Sequence, residues 1–251
     1  MKGLDRFKAH FAGYEDNYVL IGGAACDVLM QEAGLEFRAT KDFDLVLCVE
    51  ALDPGFGQHF WTFIEAGGYE HRQKGGDEKQ FYRFEKPKDD SYPFQLELFS
   101  RQPDALVLEG EPHLTPVPVG EDVASLSAIL LDRGYYEALI ANTRLVDGLR
   151  ILDESLLIPF KARAYLDMVD RRDNGATIDS RSISKHRGDV FRLMQVFRPE
   201  RQIDLPEPLK SDLGRFVRLV EADEKFKPKD LGVGLTSREM AVARLRAIFG
   251  L

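Results

Sequence analysis

The sequence predicts an α+β protein in which a mixed sheet flanked by helices, over residues 1–119, precedes a largely helical half, over residues 120–251. Before residue 100, short apolar runs with strand periodicity alternate with segments of helical spacing. Beyond residue 120, helical spacing dominates. The proline-containing segment Pro112–Val119 divides the two patterns, because proline fixes φ and disfavours helix in the residue before it.

Size and composition indicate a globular protein with a substantial core. The chain has 251 residues, of which 44% are hydrophobic. No apolar run approaches the roughly 18 residues of a membrane helix. Residues 1–10 carry charges where a secretion signal needs an apolar run, so we expect a cytoplasmic protein without membrane contact. The net charge of −8 excludes a uniformly basic surface but allows a local basic groove.

Several classes of site are disfavoured by the sequence. The two cysteines, Cys26 and Cys48, fall in a predicted helix and strand, where we expect core residues rather than a disulfide or a zinc site. The five histidines have no metal-binding spacing. Neither a Walker-type phosphate loop nor a Gly-x-Gly-x-x-Gly fingerprint occurs, which argues against those two nucleotide-binding classes.

The elements of the N-terminal half follow from periodicity and turn residues. Leu4, Phe7 and Phe11 have the spacing of a short opening helix. The apolar run Val19–Ile21 predicts a buried strand, and the alanine-rich segment behind it predicts a helix. The later elements predicted on the same grounds are a strand at Leu45–Cys48, a helix at Phe56–Ala66, a polar loop at Lys74–Lys79, and strands at Gln80–Glu85 and Phe94–Phe99.

The C-terminal half is predicted to be helical, with one exception. The stretch Tyr135–Ile151 alternates in a way that suggests a pair of strands. The helices predicted from apolar spacing are Glu121–Asp132, Asp153–Arg171, Ser182–Phe197, Pro206–Glu221 and Ser237–Phe249.

Gly22 and Gly23 end the first predicted strand and begin the helix behind it. Two residues without side chains let the backbone approach a ligand closely, and the unpaired N–H groups of a helix start attract anions such as phosphate. The turn is therefore a candidate phosphate cradle. A glycine pair that merely lets the helix pack against the strand is the alternative.

Asp42 and Asp44 open the second predicted strand. Because strand side chains alternate, both carboxylates point to the same face, where two close negative charges favour a cation. Hard oxygen ligands of this kind suit Mg²⁺, which binds through one or two carboxylates together with substrate phosphates. The alternative is a solvated strand edge.

The Gly-Gly turn followed by Asp-x-Asp on the next strand resembles the nucleotidyltransferase superfamily. Within it, the sequence Arg38-Ala-Thr40-Lys-Asp42-Phe-Asp44 and the later helical region look most like the AbiEii family. These are the toxin-like nucleotidyltransferases of bacterial abortive-infection and toxin–antitoxin systems. The resemblance implies a nucleotidyltransferase-type sheet. It also implies transfer of a nucleoside monophosphate from an NTP to an acceptor, with release of pyrophosphate.

The resemblance assigns roles to further residues and partners. Glu97 is the third carboxylate that the superfamily's arrangement expects, so Asp42, Asp44 and Glu97 would be the catalytic and metal-binding set for Mg²⁺ or Mn²⁺. RNA such as tRNA, or a protein side chain, is the implied acceptor, and an antitoxin is the implied partner. A small antibiotic-like acceptor and a non-catalytic nucleotide-binding module are the alternatives.

Five basic or polar residues are candidates for nucleotide binding beside the glycines. Arg38 and Thr40 lie just before the Asp-x-Asp strand, with Lys41, and an arginine suits a bidentate phosphate clamp. Lys161, and Lys185 with Asp189 one turn later, resemble the family's later helical motifs. An ion pair on a helix explains Lys185 and Asp189 equally well. Lys161 follows an apolar run, where a phosphate or a salt-bridge partner would compensate its charge.

Overall fold

The structure, a computed structural model, describes residues 1–40, 42–47, 54–71, 81–99, 132–198 and 200–251. These residues form two compact units. The first contains the described residues up to Phe99 together with Asn142–Leu152, and the second contains residues 132–141 and the described residues from Asp153 onward. Within the described ranges, no helix is long and apolar enough to cross a membrane.

The predicted fold class is confirmed, because a mixed sheet with flanking helices makes up the first unit and helices make up the second. Some predictions fall outside the described residues. They are Lys41, Cys48, the loop Lys74–Lys79, the segment Pro112–Val119 with the boundary at residue 119, and the helix Glu121–Asp132 except for its last residue.

The first unit is built on a sheet that has seven strands in the described part of the chain, in the order β3-β4-β5-β2-β1-β7-β6. The strands are β1 (Tyr18–Ile21), β2 (Asp42–Leu47), β3 (Glu70–His71), β4 (Phe81–Glu85), β5 (Gln95–Phe99), β6 (Thr143–Val146) and β7 (Leu149–Leu152). The sheet is mixed: β1 runs antiparallel to β2 and parallel to β7, whereas β2 runs parallel to β5. The pairs β3–β4, β4–β5 and β6–β7 are antiparallel.

Three helices accompany the sheet in this unit: α1 (Leu4–His10), α2 (Gly22–Glu32) and α3 (Pro54–Gly67). Phe7 of α1 lies edge-on to Tyr18 and to Phe63, at centroid distances of 5.4 and 5.9 Å, and packs against Phe43 of β2. All four side chains are almost completely buried. Aromatic packing of this kind adds to the free energy gained from burying apolar area, so it fixes α1 and α3 on the sheet.

The second unit contains five helices among its described residues: α4 (Arg133–Ala141), α5 (Glu154–Asp173), α6 (Ser180–Leu193), α7 (Glu207–Ala222) and α8 (Arg238–Phe249). Side-chain caps begin four of them, and Asp132 supplies the cap of α4. Asp153, Asp179 and Ser237 each accept a hydrogen bond from a backbone N–H in the first turn of α5, α6 and α8 respectively. These caps satisfy donors that a helix start leaves unpaired, which explains why the helices begin where they do.

The prediction of two strands over Tyr135–Ile151 is wrong for its first part. Residues Arg133–Ala141 form α4, because Asp132 accepts hydrogen bonds from the N–H groups of Gly134 and Tyr135 at 2.8 and 3.2 Å and so caps a helix start. The second part is a true hairpin, β6–β7. Its turn is Asp147-Gly148, both with positive φ (49° and 75°), the conformation that matches the twist of the flanking strands. The predicted C-terminal half thus contributes two strands to the sheet.

Candidate active site

Two of the three predicted acids, Asp44 and Glu97, lie in one row that crosses four neighbouring strands. Arg83 of β4 is opposite Glu97 of β5, Glu97 is opposite Asp44 of β2, and Asp44 is opposite Ile21 at the end of β1. Residues directly opposite each other on paired strands point to the same face of a sheet. Glu97 and Asp44 therefore share a face, and the end of β1 brings the Gly-Gly turn to the same place.

Gly22 lies against the carboxylate of Asp44. It has a φ of +67°, and a Cβ atom added to it would lie only 1.7 Å from Asp44 Oδ2. Any side chain at position 22 would both strain the backbone and displace the carboxylate. The glycine is therefore required by the position of Asp44 as well as by the turn, and the two halves of the sequence motif are in contact.

The turn also begins α2 without a side-chain cap, since Ile21 precedes the first helical residue and offers no acceptor. Gly23 is the second residue of the helix, and a Cβ atom there would lie 2.4 Å from Thr40 Oγ1. Thr40 is thus the predicted nucleotide-binding residue that lies beside the turn. Uncapped N–H groups at a helix start attract anions, and Asp44 and Thr40 flank them.

Glu97 is almost completely buried, and two residues, Arg83 and Gln95, donate hydrogen bonds to one of its carboxylate oxygens. Arg83 donates to Oε1 from Nε at 2.9 Å and from a terminal nitrogen at 2.6 Å, and Gln95 donates to the same oxygen at 2.7 Å. Neither contact uses Oε2. A bidentate guanidinium fixes a carboxylate in orientation as well as in charge, so Glu97 is the best-positioned acid of the row.

The pKa of the Glu97 carboxyl is raised well above its usual range. Burial is the main cause, and the negative charge of Asp44 is the second; Arg83 opposes both without cancelling them. Two acids that share a face beside a single arginine leave an uncompensated negative charge. A cation placed between Asp44 and Glu97 would remove this repulsion.

Asp42 belongs to the same strand as Asp44, and its backbone pairs with that of Gln95. Its side chain lies outside the described residues. Among the side chains that are described, no group of three His, Cys, Asp or Glu residues is arranged to hold a metal ion. The described pair, Asp44 and Glu97, is therefore two thirds of the predicted carboxylate set.

The remaining N-terminal candidate, Arg38, is half-buried in the segment before β2. Its guanidinium lies 5.1 Å from the centre of the Phe37 ring and donates to the carbonyl oxygen of Ala39 at 3.3 Å. Stacking on an aromatic ring orients an arginine without using all of its donors.

The helical candidates form a buried cluster in the second unit. Lys161 Nζ lies 3.3 Å from Asp189 Oδ2, and Arg192 lies 3.4 Å from Asp189 Oδ1. Asp189 is completely buried and Lys161 nearly so, while Lys185, one turn before Asp189 on α6, is half-buried. The salt bridge that the sequence left open for Lys161 is thus present, with Asp189 as its partner.

Sequence reasoning missed Arg83 and Gln95, although a signal for both was available. The two strands around them are joined by a short connection, so a hairpin centred near residue 90 pairs position 83 with position 97. Gln95 lies two residues before Glu97 and so shares its face. A mid-strand arginine opposite a mid-strand glutamate predicts an ion pair across the hairpin.

Comparisons with known proteins include a likeness to a solved structure. No protein-family model matches the sequence, and no curated protein matches it. The fold is similar to the crystal structure of an antigenic nucleotidyltransferase-like protein from Paracoccidioides brasiliensis, with 14% sequence identity and a TM-score of 0.43, over 95% of this chain and 98% of that one. The functional proposal therefore rests on the residues of the site.

Proposed function

We propose that this chain is a metal-dependent nucleotidyltransferase, which moves a nucleoside monophosphate from an NTP to an acceptor and releases pyrophosphate. The observation that carries the proposal is the contact between the Gly22 turn and Asp44, with Glu97 beside Asp44 on the same face of the sheet. An uncapped helix start next to an acid pair combines a place for phosphate with a place for a cation, which is what transfer from an NTP requires.

The acid pair fits Mg²⁺ or Mn²⁺ on its own chemistry. Carboxylate oxygens are hard ligands. Burial is the main cause of the raised pKa of Glu97 and the charge of Asp44 is the second, and a divalent ion would compensate that charge. Asp44 and Glu97 would hold the ion, with Asp42 as the third ligand. When bound, such ions polarise the α-phosphate and stabilise the leaving pyrophosphate.

The chain's own residues orient the acids and the nucleotide. Arg83 and Gln95 hold Glu97 at Oε1, and Glu97 also shares a side-chain hydrogen bond with Asp44. In the proposed reaction the Glu97 carboxylate would bind the ion or accept the proton of an acceptor hydroxyl. Arg83 is thus a positioning residue. The N–H groups at the Gly22-Gly23 turn would bind the triphosphate.

Four further residues would assist nucleotide binding: Arg38, Lys161, Lys185 and Asp189. Arg38 is already oriented by Phe37, and an arginine suits a bidentate phosphate clamp. For the helical residues, the sequence resemblance supports the assignment, and the buried pair of Lys161 with Asp189 supports a rigid arrangement.

The acceptor is proposed to be RNA such as tRNA, or a protein, in the manner of a toxin–antitoxin or abortive-infection toxin of the AbiEii type. This proposal is supported by the sequence around the Asp-x-Asp pair and by the helical motifs, which resemble those of that family. An antitoxin would then be the natural partner, and a cytoplasmic location would follow.

Incubation with labelled NTPs, Mg²⁺ and separated cellular fractions of RNA, protein and small metabolites tests the proposal. Label in the RNA or protein fraction, together with pyrophosphate release, is the expected result. Label confined to small metabolites would assign the chain to the antibiotic-modifying type. Tight NTP binding without pyrophosphate in any fraction would contradict catalysis and leave a nucleotide-binding module.

A further inference from the structure

A second charged site lies in the helical unit, in a groove between α7 and α8. The groove has a volume of about 350 Å³ and opens to solvent on one side. Its polar lining consists of Glu207, Lys210, Ser211, Arg218 and Arg246. Three of these five side chains are cations in a protein whose overall charge is −8, so the groove departs from the surface average.

The helix geometry explains why these residues meet. Glu207, Lys210, Ser211, Gly214 and Arg218 recur at intervals of three and four residues along α7, which places them on one face. The end of α8 supplies Arg246 and Gly250 to the other side of the groove.

Two glycines leave room for the cations. The guanidinium of Arg218 folds back along α7, so that a Cβ atom at Gly214 would lie 3.6 Å from one of its nitrogens. The ammonium of Lys210 reaches toward the end of α8, and a Cβ atom at Gly250 would lie 3.7 Å from it. Both residues therefore contribute a charge to the groove, and they are separated by about two helical turns along α7, or about 12 Å.

The three cations of the groove differ in whether a carboxylate of the protein already pairs with them. Arg246 donates to Glu221 at 2.9 Å. Over the described part of the chain, neither Lys210 nor Arg218 forms an ion pair with a carboxylate. Glu207 is the only acidic side chain in the lining, and since Arg246 is already paired, it opposes the two remaining positive charges, those of Lys210 and Arg218.

We propose that this groove binds the sugar–phosphate backbone of a single-stranded nucleic acid. Lysine and arginine charges along a groove recognise successive phosphates without regard to sequence. A small-molecule pocket is mostly apolar and encloses its ligand, whereas this groove is polar and open, which favours a strand that passes through it. The groove shares no residue with the proposed transfer site and requires no turnover.

Fluorescence anisotropy with a labelled single-stranded RNA of about 10 nucleotides, and with the DNA of the same sequence, tests the groove without NTP or metal. For two phosphate contacts, by Lys210 and Arg218, the logarithm of the association constant should fall with the logarithm of salt concentration with a slope of about −1.4. Lys210→Gln and Arg218→Gln should each reduce the magnitude of that slope by about 0.7 and weaken binding about threefold or more. Glutamine is a good helix former, so neither change threatens α7.

Two variants make the result specific to the groove. Glu207→Gln removes the opposing charge and should strengthen binding, whereas Lys229→Gln removes an exposed lysine that does not line the groove and should leave the affinity within about twofold of wild type. The proposal is supported if either strand binds and its affinity is highest for Glu207→Gln, intermediate for wild type and Lys229→Gln, and lowest for Lys210→Gln and Arg218→Gln. Equal binding by Lys210→Gln, Arg218→Gln and wild type would overturn the proposal. A wild-type protein that binds pyrophosphate or ATP but no strand would overturn it as well. Asp44→Asn, which is expected to lose transfer, should bind the strand normally, so the two proposals can fail separately.

Discussion

Two acids are buried among the described side chains, Glu97 in the sheet unit and Asp189 in the helical unit, and they stand in opposite charge environments. Glu97 has one arginine on one side and the carboxylate of Asp44 on the other. Asp189 has a cation at each oxygen, Lys161 and Arg192. The charges around Asp189 stabilise its ionised form, whereas those around Glu97 oppose ionisation. A buried acid beside another acid is poorly explained by stability, and that is the reason to seek a function at Glu97.

The largest effect should come from the acid that faces Glu97. We expect Asp44→Asn to lower the rate of pyrophosphate release by about a thousandfold or more, because an amide cannot replace a carboxylate as a ligand of a divalent ion. The unfolding temperature without metal should be unchanged or higher, since the substitution removes repulsion.

Glu70→Gln is the matched control for that substitution. Glu70 is an exposed carboxylate on the same sheet, paired with Lys86 at 3.3 Å, so its loss should leave the transfer rate close to wild type. Asp44→Asn with a normal rate would remove the acid pair from the reaction. An Asp44→Asn protein that unfolds well below wild type would instead show that Asp44 stabilises the fold.

The second effect concerns the helical acid and is a loss of stability. Asp189→Asn removes the carboxylate from between two cations, one of them nearly buried, and breaking a buried ion pair in this way costs about 3–5 kcal/mol in the free energy of unfolding. Denaturant unfolding measures the loss. Glu221→Gln, which breaks the exposed pair with Arg246, should cost less than about 1 kcal/mol.

Lys161→Ala separates the two roles of the helical pair. A contact with the triphosphate would raise KM, or lower kcat if the contact strengthens as pyrophosphate leaves. We expect some of each, together with lower stability. Normal kinetics with a loss of more than about 2 kcal/mol would make Lys161 a purely structural partner of Asp189 and remove the helical residues from the proposed nucleotide site.

The contrast between the two acids also shows how far the sequence could lead. Local patterns predicted the strand, the Gly-Gly turn and the face shared by Asp42 and Asp44, because they depend on neighbours along the chain. The pairing of Lys161 with Asp189 could be offered only as an alternative to phosphate, since the residues lie on different helices and nothing local selects between partners. The strands β6 and β7 join the sheet through Leu20 and Ile151, a pairing that periodicity cannot anticipate. The aspartate cap of α4 was a local signal, but alternation in Tyr135–Ile151 outweighed it.

A smaller effect is expected at Arg83, which touches Glu97 but no reacting group. Arg83→Gln should lower kcat by about tenfold, because Glu97 loses the bidentate contact that orients it. The affinity for Mg²⁺ should not weaken, since the substitution removes a positive charge next to the acid pair. Metal titration followed by unfolding temperature, in parallel with kcat, measures both. If Arg83 serves only folding, kcat per folded molecule should stay constant. The control is Arg144→Gln, which breaks an ion pair between β6 and Glu32 elsewhere on the sheet and shows how the loss of such a pair alone affects kcat.

The smallest expected effect is a pH dependence of the unfolding temperature that comes from the packing of the sheet unit and not from its acids. His10 of α1 stacks on His59 of α3 with ring centres 4.0 Å apart, and each ring bonds to the other residue's backbone carbonyl. Burial, and to a lesser degree the charges of His59 and Arg6, lower the pKa of His10 from its ordinary value of 6.5, although the bond to the carbonyl of His59 opposes the shift. Since the folded state disfavours the protonated ring, the stabilisation is complete above pH 6.5 and is lost as the pH falls through the lowered pKa. His10 is only partly buried, so we expect the unfolding temperature of wild type to fall by about 1–2 °C more than that of His10→Gln between pH 7.5 and 5. Equal falls in the two proteins would assign the pH dependence of this unit to other groups, and the His10–His59 stack would then be a packing contact alone.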